Sequence, residues 1–94
     1  MTDTNITDED FLAAAQRGDV AVVQAGLAAG LSADSADVYG NTALMMASAR
    51  GQRDVVKALI DAGASAEHKN KFGLGPRQWV EWAENQGPIR QLLG

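Results

Sequence analysis

An all-α fold built from stacked pairs of short helices is what this sequence predicts, and three observations predict it. The chain repeats itself at a period of 33 residues. Sliding 9–41 onto 42–74 gives identities at Ala14, Arg17, Gly18, Val22, Val23, Ala25, Ala29, Gly30, Ser32, Ala33 and Gly40, with conservative pairs at Phe11/Leu44, Leu27/Ile60, Asp37/Asn70 and Tyr39/Phe72. The hydrophobic residues are 46% of the chain, yet aromatics are only 5% and alanine supplies much of the rest. Alanine favours helices and lets them approach closely, whereas strand formers are sparse. Within each unit, finally, the apolar residues fall in pairs one helical turn apart.

The elements follow in order. Residues 1–7 are expected as a tail and 8–93 as one domain. In the first unit, 8–36, Thr7 and Asp10 have the spacing of a capping box, Asp standing in for Glu. Gly18 separates the two helices. The middle unit, 37–69, opens on Asp37-Val-Tyr-Gly40, an Asp three residues before a Gly, which reads as a β-turn. Thr42 then caps a helix carrying Leu44, Met46 and Ala47. Gly51 stops that helix, and Asp54 falls in the first turn of the next. Val55, Val56, Leu59 and Ile60 supply its apolar pairs, and Gly63 follows where a terminating glycine belongs. Helices of about eight to ten residues do not persist alone in water, so each unit needs a neighbour to complete its core.

The third unit, 70–93, starts with a second turn, Asn70-Lys-Phe-Gly73, and Pro76 sits where a first-turn proline is tolerated. Held at the same period, Trp79 falls on Met46 and Leu92-Leu93 on Leu59-Ile60, while Arg77 takes a Leu slot and Glu84 the inter-helix Gly. The alternative makes Gly87 that glycine, with three residues inserted. The uninterrupted period is preferred because it turns Trp79, Ile89, Leu92 and Leu93 inward.

These residues resemble the ankyrin repeat family. Its pattern runs D-x-x-G-x-T-P/A-L-H-x-A-A-x-x-G and then V-V-x-x-L-L-x-x-G-A. Asp37, Gly40, Thr42, Ala43, Leu44, Ala47, Gly51, Val55, Val56, Leu59, Ile60, Gly63 and Ala64 match it; Met45 stands where the family usually has His, and Ser48 where it has a second Ala. The resemblance covers about 8–93 and implies a helix–turn–helix solenoid with β-turn fingers, its first and last repeats acting as caps.

Composition excludes several functions. With no cysteine and a single histidine, a disulfide framework, a thiolate or His-pair metal site and a cysteine nucleophile are ruled out. The net charge is −4, against bulk attraction to nucleic acid. No apolar run reaches membrane-spanning length, and the start lacks the form of a signal peptide, so a cytoplasmic protein is expected. His68 lies between Glu67 and Lys69 without an acid–base partner. Asp8-Glu9-Asp10 complements a helix dipole, Gly73-Leu-Gly75 is a fragment of a phosphate loop, and Asn5-Ile6-Thr7 is a chance acceptor sequence. No catalytic residue, cofactor or metal is expected.

What remains is an interaction surface. In ankyrin-like stacks the turn tips and the exposed side of the first helices form one concave face. On that resemblance Val38, Tyr39, Asn41, Met45, Ala49 and Arg50 contribute from the middle repeat, and Lys71, Phe72, Leu74, Gln78 and Trp82 from the third. Aromatics with Arg are common interface anchors. Tyr39 and Phe72 have a second reading, as rings lying on the neighbouring turn, and Trp82 as a seal on the end of the stack; Trp79 reads as core. Arg50, Lys69, Lys71 and Arg77 favour an acidic partner, and the acidic first unit repels one. Seven acids stand against Arg17 in 1–37, and seven Lys/Arg against five acids in 38–94. The expected function is protein binding as a regulator, adaptor or inhibitor. A monomer is expected, with self-association through the stack ends as the alternative.

Overall fold

The computed structural model describes residues 6–94. It is all-α, as the sequence predicts, and the helices come in pairs. These are α1 (Asp8–Arg17) with α2 (Val20–Ala28), α3 (Ala43–Arg50) with α4 (Arg53–Asp61), and α5 (Pro76–Trp79), which runs on as a 3₁₀ turn over Val80–Trp82, with α6 (Gln86–Leu93). The inner helices α1, α3 and α5 pack in one row and the outer helices α2, α4 and α6 in another. Two turns, at 37–40 and 70–73, project from the inner row. The result measures 42 × 26 × 20 Å.

Local chemistry sets the boundaries. Thr7 caps α1 by accepting from the Asp10 N–H, while the Asp10 carboxylate accepts from the Thr7 N–H, each at 3.1 Å. Ile6 also packs against the core, so the folded unit takes in Ile6 and Thr7 of the segment expected as a tail. Residues 1–5, the rest of that segment, and Asn5 with it, lie outside the described residues. Gly18 and Gly51 close α1 and α3 in the left-handed conformation, at φ 82° and 68°.

One core runs the length of the stack. Phe11, Leu44, Val55, Val56, Leu59, Val80 and Ile89 are fully buried or nearly so in a single cluster. The first two repeats fill equivalent space differently. Phe11 replaces Leu44 on the inner helix and Gly26 replaces Leu59 on the outer. A Cβ on Gly26 would meet the Phe11 ring at 2.8 Å, so the larger ring occupies the room that the missing side chain leaves.

The third repeat keeps the uninterrupted period. Asn85 touches Gly51 as Gln52 touches Gly18, and α6 begins 33 residues after α4. Gly87 is therefore not the inter-helix glycine. The expected inner helix of eight to ten residues is not there, however. Its α-helical part is a single turn, followed by the 3₁₀ turn and an extended Ala83 (φ −83°, ψ 149°). The cause is Glu84, which stands in the glycine slot and does not enter the left-handed region. Of the four residues expected to face inward, Ile89 and Leu93 are buried, and Trp79 and Leu92 are half-buried.

Candidate protein-binding face

The face is built on the two turns. In the first, the Gly40 N–H donates to the Asp37 carbonyl at 3.0 Å, and one Asp37 carboxylate oxygen accepts from the Tyr39 and Asn41 N–H groups at 2.9 Å each. In the second, Gly73 donates to the Asn70 carbonyl at 3.0 Å, and the Asn70 Oδ1 accepts from Phe72 at 2.8 Å and Leu74 at 3.0 Å. Both glycines have positive φ, 81° and 79°. Asp and Asn do the same work because both turns need only an acceptor oxygen at that point.

Two bonds tie the fingers to each other. The Lys71 N–H donates to the Tyr39 carbonyl at 2.9 Å. The Asn70 side chain donates to the Asn41 Oδ1 at 2.8 Å. With the backbones fixed this way, the Tyr39 and Phe72 rings stack at 6.3 Å between centroids, 29° apart in plane. The second sequence reading of these rings, packing on the neighbouring turn, is therefore realised. Each ring lies on the neighbouring turn, yet Tyr39 remains 54% and Phe72 71% exposed, beside Val38 at 74%.

The other expected face residues divide. Arg50 and Lys71 are exposed. Leu74 is half-buried. Asn41 is also half-buried, and its amide is engaged on both sides, donating to the Asp37 carboxylate at 3.2 Å and accepting from Asn70. Gln78 is exposed, but its Oε1 accepts from the Gly75 N–H at 2.7 Å and so caps α5. Met45 is a correction: it has no exposure at all. It occupies the third position of α3, and its sulfur folds back over the Thr42 N–H at 3.4 Å, so it supports the finger from beneath and meets no partner. Trp82 is 66% exposed, its ring edge-on to Trp79 at 5.5 Å. Arg77 is turned away from the expected basic patch, pairing with Glu67 at 3.0 Å and donating to the Leu93 carbonyl at 3.2 Å.

A feature missed in the sequence lies beside the first finger. The first turn of α1 and residues 36–39 enclose an open hollow of about 490 Å³, lined by Asp8, Glu9, Leu12, Ala36, Asp37, Val38 and Tyr39. The acids were legible as a dipole complement, but nothing in their spacing placed them against Tyr39. Among the described residues, no three of His, Asp and Glu converge as a metal site would need, and no helix is long and apolar enough to cross a membrane.

A model for ankyrin repeats in three copies matches residues 2–71. The chain belongs to the ankyrin repeat family. Within curated proteins it is similar to an ankyrin repeat protein of Escherichia coli (strain K12), YahD, at 42% identity over 67 residues, covering 71% of this chain and 33% of that one. It is similar also to the ankyrin repeat, SAM and basic leucine zipper domain-containing protein 1 of Equus caballus, 44% identical over 59 residues, and of Neofelis nebulosa, 42% over 59. These matches cover 63% of this chain and 12% of each relative. The chain thus spans a third or less of these relatives' lengths. Ankyrin repeats generally serve as protein–protein interaction modules, and the family is generally non-catalytic.

Proposed function

We propose that this chain is a non-catalytic binding module that grips one protein partner on the finger face, with Val38, Tyr39 and Phe72 as apolar anchors and Arg50 and Lys71 at the rim. The observation that carries the reading is the stacked, solvent-exposed pair Tyr39–Phe72. Two stacked rings on backbones already fixed by turn hydrogen bonds lose less freedom when a partner covers them than rings on a mobile loop would, so their burial is available as binding energy. Small scattered apolar residues on a surface are ordinary; two large ones locked face to face beside an exposed Val38 are what a docking patch provides.

The test is affinity capture from the native source with the wild type and the Tyr39→Ala/Phe72→Ala double variant. A protein captured by the wild type and lost from a double variant that melts at the same temperature supports the face. Equal capture by both contradicts it. A second reading, assembly through the end of the stack, rests on Trp82, which stays exposed where α5 and α6 pack on α3 and α4 from one side only. Light scattering over a concentration range separates the two, since a constant monomer mass removes assembly.

A further inference from the structure

We propose that the hollow between α1 and the first finger receives a cationic, partly apolar segment of the partner, an arginine- or lysine-bearing stretch flanked by aliphatic side chains. This deepens the binding reading above and rests on it. The hollow's charged groups are of one sign: Asp8 and Glu9 stand on one wall and Asp37 on the other, and no basic side chain lines it among the described residues. The α1 N-terminus adds only about half a positive charge, so three carboxylates outweigh it. Like charges around a concave, partly apolar wall focus the field and attract the opposite charge more strongly than the same charges on a flat surface.

The local bonding leaves the carboxylates of Asp8 and Glu9 available, whereas that of Asp37 is taken up by its own turn. Asp10 is spent on the capping box, but Glu9 makes no ion pair among the described residues, and Asp8 only accepts a long hydrogen bond from Ser35, at 3.4 Å. Leu12, Val38 and the Tyr39 ring supply the apolar part. An arginine entering here pairs its guanidinium with Asp8 and Glu9 and lays it on the Tyr39 ring, while its stem lies along the exposed Val38. The sequence-based expectation of an acidic partner loses Arg77, which is paired internally. The face is therefore graded, acidic at the hollow beside the first finger and basic near Arg50 and Lys71.

The test uses a fluorescent nonapeptide of alternating arginine and leucine, its glutamate-for-arginine counterpart, and polarisation titrations at low and physiological salt. The arginine peptide is expected to saturate at least tenfold more tightly than the glutamate peptide. Asp8→Asn/Glu9→Gln is expected to weaken it at least fivefold, as is Val38→Lys, an exposed position that places a like charge at the rim. Asp54→Asn/Asp61→Asn removes the same net charge from the outer helix α4 and should leave it within twofold. No saturation, preference for the glutamate peptide, or equal weakening by the α4 variant overturns the inference. Capture of the natural partner by Phe72→Ala, a residue that does not line the hollow, keeps the levels apart. If that variant loses the natural partner while the peptide never bound, only the inference about the hollow fails.

Discussion

Asn70 donates to Asn41, accepts from two backbone N–H groups and is only 7% exposed. Asn70→Asp keeps both acceptor bonds but sets a carboxylate oxygen against the Asn41 carbonyl oxygen. Asn41 cannot turn to donate without releasing Asp37. The expected cost is about 1–3 kcal/mol, read as a lower urea midpoint, although the change merely copies the residue at position 37. An unchanged midpoint would show that the link between fingers carries no stability. Phe11 and Gly26 supply a second case. In an exposed helix Gly→Ala gains about 1 kcal/mol, but here Gly26→Ala drives a methyl into a fully buried ring and should lower the melting temperature. Adding Phe11→Leu should return part of that loss, a positive coupling in the double-mutant cycle. Additive effects would refute the size exchange. The sequence shows this exchange only as two mismatches at the repeat period, because the compensation lies across helices.

At the scale of elements, the helix stops were the most legible part. Thr7, Thr42, Gly18 and Gly51 are read directly from residue type, because each meets a local backbone need that no distant contact can replace. Gly51→Ala forces a Cβ into the left-handed region and onto the Asn85 side chain. It should cost about 1–3 kcal/mol and shorten α3, seen as reduced helical circular dichroism; a variant as stable and helical as wild type would contradict the capping account. Glu84 in the same slot foretold an atypical third repeat, but not how it would end. The 3₁₀ turn and extended Ala83 with which the chain answers Glu84 lie against α3, and no local motif spells out that ending. Met45 went astray for a related reason. The family resemblance placed it on the concave face, and its long flexible side chain instead curled back over Thr42, a contact of the kind methionine readily makes.

On the scale of the molecule, the stack has no central core, and each repeat is completed by its neighbours. Leu44 and Leu59 lie in the middle repeat, 1% exposed or less, within the one continuous cluster. Leu44→Ala or Leu59→Ala should each cost about 2–5 kcal/mol, comparable with the whole folding free energy of a domain this small. A cooperative melt barely moved by either would contradict a shared core. The architecture was legible because a 33-residue period is a property of the whole chain. The hollow was not, since it forms from α1 and a finger more than twenty residues away, joined by no motif. The proposed contact with the partner is through the fingers and not through the outer helices. Hydrogen exchange of the chain alone and with its captured partner tests this most directly. Slowed exchange at 37–42 and 70–74, with α2 and α4 unchanged, is the predicted result; protection on α2 and α4 with the fingers unchanged would contradict it.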